Sequence, residues 1–347
     1  MAPGLLAQVG AIAREVAPAH RYVVITDSNV GPHYARTVLA GLERDQSDLL
    51  LFPAGEAHKT RDTWGRLTDQ MLAKGYGRDS TIIALGGGVV GDLAGFVAAT
   101  FMRGIPVVQV PTSLLAMVDA SIGGKTGVDT YAGKNLVGAF HLPAAVVIDT
   151  QVLATLPLRE MRAGFAEIIK HGVIADDSYF LGVASGVRKL LDKAGPTSDS
   201  MLAVIVRSIE IKAEIVSRDE REVGLRKTLN FGHTIGHAVE VVSGYSLLHG
   251  EAVAIGMALE GRLAERIGVA KTGTADAIVE ALRAAHLPTD LPQPFDKGAV
   301  MEAMKSDKKG QLGKSRFALP QQIGAMAGAE SGWTVSVSDD QLREVLA

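Results

Sequence analysis

The sequence predicts an α/β domain followed by a helical domain, and three observations support this prediction. The chain has 347 residues, more than one domain usually contains. Its first half alternates short β-branched runs with segments of helical periodicity. After about Leu158 these runs fade, and long helical patterns take their place. We therefore predict one domain over residues 1–158 and a second over residues 159–347.

The predicted strands of the first domain are short, continuous runs of Val, Ile and Leu, as expected for a parallel sheet covered by helices. They lie at residues 21–27, 48–52, 80–85, 106–110 and 145–150. Residues 60–75 carry apolar side chains at helical spacing and stop at a glycine, which predicts a helix between the second and third strands.

The second domain is predicted to be mostly helical. Helical patterns cover residues 159–174, 200–220, 250–268 and 274–286. Pro157 is placed where a helix begins, which fits a domain boundary near residues 156–158.

Composition excludes several classes of function. A net charge of -3 gives no broad basic field, so we expect no nucleic-acid partner. The chain has no cysteine, so any metal must be bound by His, Asp or Glu. The longest apolar stretches, such as residues 93–102, fall short of the ~20 residues of a membrane span, and the N-terminus lacks the pattern of a signal peptide. We expect no membrane partner and a cytoplasmic location.

A glycine turn predicts a nucleotide site. The third strand leads into Gly86, Gly87 and Gly88, and a helical segment follows. Glycines let backbone N–H groups approach a diphosphate, and the helix N-terminus adds a favourable dipole. A tight turn in a non-binding α/β domain remains an alternative. Further polar residues follow the first two strands, where an open sheet binds ligands, although each taken alone fits an ordinary turn or cap. These are Asp27, Asn29, Glu56 and Lys59.

Histidines and one carboxylate of the second domain suggest a metal site. His233 and His237 are four residues apart on a predicted helix, and His249 stands just before another. Glu167 lies on an apolar helix face beside Lys170, where an ionised carboxylate needs a partner. Glu167 with two histidines would suit zinc. Pairing of Glu167 with Lys170, with ordinary histidines, is an equal alternative at this point.

Cations on glycine-rich loops suggest an anionic substrate. Residues 111–143 combine glycines with Asp119, Lys125, Lys134 and Asn135, and their buried-type apolar residues argue against a solvated loop. Later cations and amides are Lys212, Arg226, Asn230, Lys308 and Lys309. Most single lysines on helices are solvated, which is the alternative for Lys212 and Lys309.

These segments resemble the 3-dehydroquinate synthase branch of the sugar phosphate cyclase family. The motifs that carry the resemblance include GGGVVGD at residues 86–92, FMRG at 101–104, PTSLLAMVDASIGGKTGVD at 111–129, GFAEIIKHG at 164–172, LNFGHTIGHA at 229–238 and LHGEAVAIGM at 248–257. Order and spacing agree from about residue 27 to residue 309.

The resemblance implies a Rossmann-like NAD-binding α/β domain, an all-α metal-binding domain and a homodimer. It implies that NAD is bound by Asp27, Asn29, Glu56, Lys59, Gly86, Gly87, Gly88, Asp92, Thr112, Ser113, Asp119, Lys125 and Lys134. Zinc, or cobalt in its place, would be held by Glu167, His233 and His249. Catalytic roles would fall to Lys125, Lys170, Lys212, Arg226, Asn230 and His237, and further substrate contacts to Arg103, Asp119, Lys134, Asn135, Glu222, Lys308 and Lys309.

The implied activity is that of a carbon-oxygen lyase acting on a sugar phosphate, 3-deoxy-D-arabino-heptulosonate 7-phosphate. In the family, transient oxidation by NAD is followed by phosphate elimination, reduction and intramolecular aldol closure to 3-dehydroquinate. A sibling cyclase such as aminodehydroquinate synthase and a metal-dependent polyol dehydrogenase are the alternatives, and the dehydrogenase would release NADH.

Overall fold

The chain forms two compact units in a computed structural model that describes residues 1–292, 294–306 and 315–346. The first unit is Met1–Leu156 and the second is Pro157–Ala347. Among the described residues, no helix combines the length and hydropathy that crossing a bilayer requires.

The first unit is built on a parallel sheet. Its strands in chain order are β1 (Arg21–Asp27), β2 (Ser47–Phe52), β3 (Ser80–Gly86), β4 (Val107–Pro111), β5 (Lys125–Thr130), β6 (Gly133–Phe140) and β7 (Ala145–Val146). Five of them pair in parallel in the order β2-β1-β3-β4-β7. Because β2 and β3 lie on opposite sides of β1, the connections leave β1 and β3 in different directions. The carboxyl ends of these two strands border the crevice where such sheets bind ligands.

Four helices complete the first unit, and two of them cover one face of the sheet. The helices are α1 (Val9–Val16), α2 (Gly31–Ala40), α3 (Arg61–Ala73) and α4 (Gly88–Thr100). Leu67 of α3 and Leu93 of α4 share one buried cluster with Ile25 and Ile82 of the sheet. Each helix thus buries an apolar stripe, which holds α3 and α4 against the strands.

The predicted strands are confirmed with two differences. The first four begin and end within one residue of the prediction. The fifth pairs only over Ala145–Val146, and residues 150–155 form a 3-10 helix instead. The region predicted as glycine-rich loops contains a π-helical turn, Ala116–Ala120, and the antiparallel hairpin β5–β6. Gly127 and Gly138 lie opposite each other in that hairpin, where a Cβ on either would collide with the facing backbone.

The second unit is largely helical, as predicted. Its helices are α5 (Leu158–Ala175), α6 (Asp177–Leu190), α7 (Asp199–Arg218), α8 (His233–Val242), α9 (His249–Arg266), α10 (Thr274–Ala284), α11 (Lys297–Ser306) and α12 (Asp339–Leu346). It is not all-α, because two short antiparallel pairs are also present. They are formed by β8 (Ser315–Phe317) with β11 (Val335–Val337) and by β9 (Pro320–Gln322) with β10 (Ala325–Met326). Phe317 and Val337 bury against the apolar faces of α8 and α9, which is what these strands contribute to the core.

Candidate active site

The glycine turn lies between β3 and α4. Gly86 ends the strand, Gly87 is the N-cap and Gly88 is the first helical residue. A Cβ at Gly86 would lie 2.3 Å from a methyl carbon of Val90, so only glycine permits this turn. Gly87 has no capping side chain, which leaves the helix N-terminus with backbone donors suited to a phosphate.

Polar residues flank that turn on the neighbouring strand ends. Thr112 follows β4, and its N–H donates to the carbonyl of Gly86 at 2.9 Å. The side chain of Ser113 lies near Gly87, 3.4 Å from where a Cβ would be. At the end of β1, Asp27 accepts the N–H groups of Asn29 and Val30, each at 2.9 Å. Asp27 thus holds the turn that carries Asn29.

The Lys59 ammonium lies close to three carboxylates of the first unit. It lies 2.6 Å from Glu56, 3.3 Å from Asp92 and 3.6 Å from Asp129, and the Lys59 side chain is almost fully buried. Lys134 of β6 adds a second cation at 3.7 Å from Glu56. Four of these five residues, all except Asp129, were candidates from the sequence, and the structure brings them together.

The charges in this cluster shift each other's pKa values. Burial alone would lower the pKa of Lys59, but the surrounding carboxylates raise it well above its ordinary value. Burial raises the pKa of Asp92 to about 6 against the opposing effect of Lys59. Glu56 is also buried, yet Lys59 and Lys134 hold its pKa below the ordinary value. The cluster is a mutually compensated network that can present oxygens to ribose hydroxyls.

Asp129 was not a candidate from the sequence, and it joins the hairpin to this cluster. Its N–H donates to the carbonyl of Lys59 at 2.7 Å, and its carboxylate accepts the N–H of Asn135 at 3.0 Å. Asn135 has a φ of 55°, so this acceptor supports a strained backbone. The other candidates of this unit lie on separate elements: Asp119 is in the π-helical turn, Lys125 begins β5, and Arg103 is exposed with a φ of 69°.

Glu167, His233 and His249 converge in the second unit. Oε1 of Glu167 lies 3.6 Å from Nε2 of His233 and 3.7 Å from Nε2 of His249. Two ligands at ~2.0–2.1 Å from a tetrahedral zinc lie roughly 3.3–3.4 Å apart, so these spacings suit one zinc ion. The Glu167 carboxylate is fully buried, and neither oxygen accepts a hydrogen bond of normal geometry from the described residues. A bound divalent cation satisfies such a carboxylate.

The two imidazoles are oriented by groups behind them. Nδ1 of His233 lies 3.1 Å from the carbonyl of Phe231, which favours the tautomer that leaves Nε2 free for a metal. Nδ1 of His249 lies 3.6 Å from a carboxylate oxygen of Glu240, another residue that sequence reasoning missed. His237, Glu240 and His249 form a second group with ligand spacing, so His249 belongs to both groups.

Lys170 takes part in the same cluster. It forms an ion pair with Oε2 of Glu167, the arrangement that was the alternative to a metal site. Burial opposes ionisation of Glu167, but Lys170 and the two histidines hold its pKa well below the ordinary value. Burial and Lys170 lower the pKa of His233 well below its ordinary value. Burial also disfavours protonation of His249, yet the carboxylates of Glu167 and Glu240 raise its pKa to about 9.

The loop from residue 219 to residue 230 carries three further candidates. Asp219 accepts the N–H groups of Val223, Gly224 and Arg226 at 2.7–3.0 Å. This fold of the backbone gives Glu222 a φ of 60° and places its carboxylate to accept from the Asn230 amide. Arg226 is almost fully buried and donates to the carbonyl of Glu220. Asp219 was not a candidate from the sequence, and the structure gives it the role of backbone acceptor in this loop.

The two other described candidates of this unit differ in burial. Lys212 is buried on α7, whereas His237 is exposed on α8, with its ring centroid 5.2 Å from that of His233. Lys308 and Lys309 lie outside the described residues.

Comparison of the sequence with known protein families gives matches over both units. The family model for the N-terminal part of 3-dehydroquinate synthase matches residues 49–163, and that for the C-terminal part matches residues 164–310. A 3-dehydroquinate synthase of Synechococcus sp. is 47% identical over 330 residues, which cover 94% of this chain and 88% of the relative.

Two solved structures share the whole fold. A 2-epi-5-epi-valiolone synthase from Streptomyces hygroscopicus subsp. jinggangensis 5008, with NAD+ and Zn2+ bound, is 30% identical, with a TM-score of 0.87 over 100% of this chain and 94% of that one. A 2-deoxy-scyllo-inosose synthase complexed with carbaglucose-6-phosphate, NAD+ and Co2+ is 26% identical, with a TM-score of 0.86 over 99% and 94% of the two chains. The matching domains and the extent of identity together establish that this chain belongs to the 3-dehydroquinate synthase family.

Proposed function

We propose that this chain converts 3-deoxy-D-arabino-heptulosonate 7-phosphate to 3-dehydroquinate and phosphate. The observation that carries the proposal is the convergence of Glu167, His233 and His249 beside the buried Lys170, in a chain of this family. A Glu-His-His set leaves a coordination position for substrate, as catalytic zinc sites do. We propose zinc as the metal, with cobalt as a substitute.

When bound, NAD would accept a hydride from the alcohol carbon and later return it, and the metal would polarise the oxygen on that carbon. The chain holds and orients the anionic substrate. Buried Lys212 and Arg226 are suited to its carboxylate and phosphate, because a desolvated cation pairs strongly with an anion. Glu222 orients the Asn230 amide, which can then bond a hydroxyl. We assign no protein group as sole general base and propose that the departing phosphate takes the proton.

NAD is proposed to bind the first unit. Gly87 and Gly88 offer helix N-terminal donors to its diphosphate, and the carboxylates around Lys59 accept from ribose hydroxyls. The Lys59 network fixes those carboxylates before a ligand arrives, which lowers the entropy cost of binding.

Phosphate release from the heptulosonate phosphate, measured with NAD and zinc, tests the proposal. We expect release to stop when a chelator removes the metal and to resume when zinc is added back. NADH absorbance is expected to stay flat, because NAD is reduced and then reoxidised within one turnover.

Two other outcomes favour the rivals. Steady accumulation of NADH identifies a polyol dehydrogenase. Absence of phosphate release, together with turnover of the amino analogue of the substrate, identifies an aminodehydroquinate synthase. A buried guanidinium at Arg226 is an argument against siblings whose substrates lack a carboxylate.

We further propose a cytoplasmic homodimer in which Arg103 contacts the substrate phosphate of the partner subunit. The exposure of Arg103 agrees with a role outside its own unit's core. Light scattering that gives the mass of one chain would contradict the dimer.

A further inference from the structure

Glu260 of α9 is a fully buried carboxylate whose two oxygens both bind the first turn of α8. Oε2 accepts the N–H of Gly232 at 2.7 Å, and Oε1 accepts the N–H of Ile235 at 2.9 Å. The residue is 0% exposed. A carboxylate that accepts two backbone donors in this way satisfies groups that a helix start otherwise leaves without partners.

Helix α8 requires such help because its own N-cap is glycine. Gly232 has a φ of 80° and no side chain to accept a hydrogen bond. Residues that cap helices well carry a side-chain oxygen, and a negative charge near the helix start is also stabilised by the helix dipole. Glu260 supplies both from the neighbouring helix.

Close packing explains why the cap comes from α9. A Cβ at Gly232 would lie 2.4 Å from Cγ of Met257, and a Cβ at Gly256 would lie 1.9 Å from the carbonyl oxygen of Gly232. No residue with a capping side chain fits at position 232 while the helices stay this close. A carboxylate placed one turn further along α9 reaches these buried N–H donors instead.

The turn that Glu260 holds is the one that carries His233. His233 is the first residue of α8 and lies between the two amides that Glu260 accepts. Its ring contacts the Phe231 carbonyl on one side and faces Glu167 on the other. The direction of Nε2 therefore depends on a backbone that Glu260 fixes.

Glu260 also connects two of the proposed ligands through one helix. His249 begins α9, and Glu260 follows eleven residues later, which is about three turns and the same helix face. One rigid helix thus presents one ligand and fixes the backbone of another. We propose that Glu260 is a positioning residue for the metal site, which tunes zinc affinity by fixing His233; this inference rests on the proposed function.

Zinc affinity of Glu260→Gln, measured by competition with a chelating dye, tests the inference. The amide keeps one acceptor oxygen but turns an NH2 group toward the second backbone donor. We expect zinc to bind about 10–100-fold more weakly, the range found when groups that orient metal ligands are removed. The visible absorption spectrum of the cobalt-substituted protein is expected to change as well, because it reports ligand geometry.

The chain offers a matched control on the same helix. Glu265 of α9 accepts the N–H of Ala275 at 2.7 Å, at the start of α10, which carries none of the proposed ligands. Glu265→Gln therefore weakens a helix cap of one backbone hydrogen bond without touching α8. Both variants are expected to lower the unfolding temperature of the zinc-free protein, but only Glu260→Gln is expected to weaken zinc binding.

Wild-type zinc affinity and cobalt spectrum in Glu260→Gln would overturn the inference. If that variant does not fold, Glu260→Asp replaces it; a weaker zinc affinity supports the inference, and an unchanged one overturns it. Failure of the wild-type chain itself to bind zinc would contradict the proposed metal site, and is thereby distinguished from failure of this inference alone.

Discussion

The two units bury charge in different ways. Around Lys59, one ammonium faces the carboxylates of Glu56, Asp92 and Asp129, and every charge has an opposite charge beside it. Around Glu167, the carboxylate pairs with Lys170 on one oxygen, while the other faces two imidazole nitrogens at distances too long for hydrogen bonds. The first arrangement is complete without a ligand, whereas the second has the ligand spacing that the proposed metal ion would fill.

This difference agrees with the roles proposed for the two clusters, cofactor binding around Lys59 and chemistry around Glu167. A compensated network needs no bound nucleotide to hold its shape, which agrees with the proposed role of the Lys59 cluster in cofactor binding. The proposed metal cluster would depend on its ion, and we propose that backbone contacts such as those of Glu260 align its ligands. Perturbing the two clusters should therefore give different kinds of effect.

The largest effect is expected from Glu167→Gln. The variant loses the anionic ligand, so we expect zinc to bind at least ~100-fold more weakly and phosphate release to fall roughly 10³-fold, since a metal supplies several kcal/mol of charge stabilisation. In the wild-type chain, zinc at 100 times its Kd should add ~2.7 kcal/mol to the free energy of unfolding, and a chelator should remove it. Glu214→Gln, on the exposed face of α7, is the control. Equal zinc stabilisation of Glu167→Gln and wild type would remove Glu167 from the site.

A second effect is expected from Lys59→Met. It leaves three carboxylates without their shared cation, so we expect the free energy of unfolding to fall by about 3–5 kcal/mol, measured by urea denaturation, with no change in zinc affinity. Lys74→Met provides the control, because Lys74 pairs with Asp48 at 2.7 Å but is 43% exposed. Such an exposed pair contributes ~0–1 kcal/mol. Equal losses in the two variants would contradict a buried, compensated network.

The smallest effect concerns pH. The pKa of Asp92 is about 6 in the folded chain against an ordinary value of 3.8. The folded chain therefore keeps this proton in a range where the unfolded chain has released it, and the contribution of Asp92 to stability falls as pH rises through that range. We expect the free energy of unfolding of wild type, relative to Asp92→Asn, to fall by about 1 kcal/mol between about pH 5 and pH 7. A difference that stays constant, or that rises with pH, would refute the raised pKa.

Much of the fold followed from the sequence because burial leaves a clear pattern. Strands such as β1 and β3 are buried on both faces, so they read as continuous apolar runs. The hairpin β5–β6 did not follow, because it owes its close pairing to glycines at positions 127 and 138 rather than to β-branched residues. The strands of the two short pairs, β8 with β11 and β9 with β10, have only two or three residues each. They are too short for periodicity to detect.

The residues proposed as ligands and substrate contacts could be picked out from the sequence, whereas most of the residues that support them were missed. Buried charge on an apolar helix drew attention to Glu167, and the same argument applied to MALEGRLAE would have found Glu260. Asp129 and Asp219 act through backbone N–H groups of their own loops, and a sequence gives no sign of which amides will need an acceptor. Their roles depend on chain geometry that only folding creates.

The contact between Gly256 and the carbonyl of Gly232 also bears on how this chain can diverge. Any missense change at either position adds a Cβ where 1.9–2.4 Å is available, so α8 and α9 would have to move apart and carry His233 and His249 with them. Selection for activity in a library randomised at these positions is therefore expected to return silent codon changes. We therefore expect these two glycines to tolerate no substitution while the α8–α9 crossing is kept.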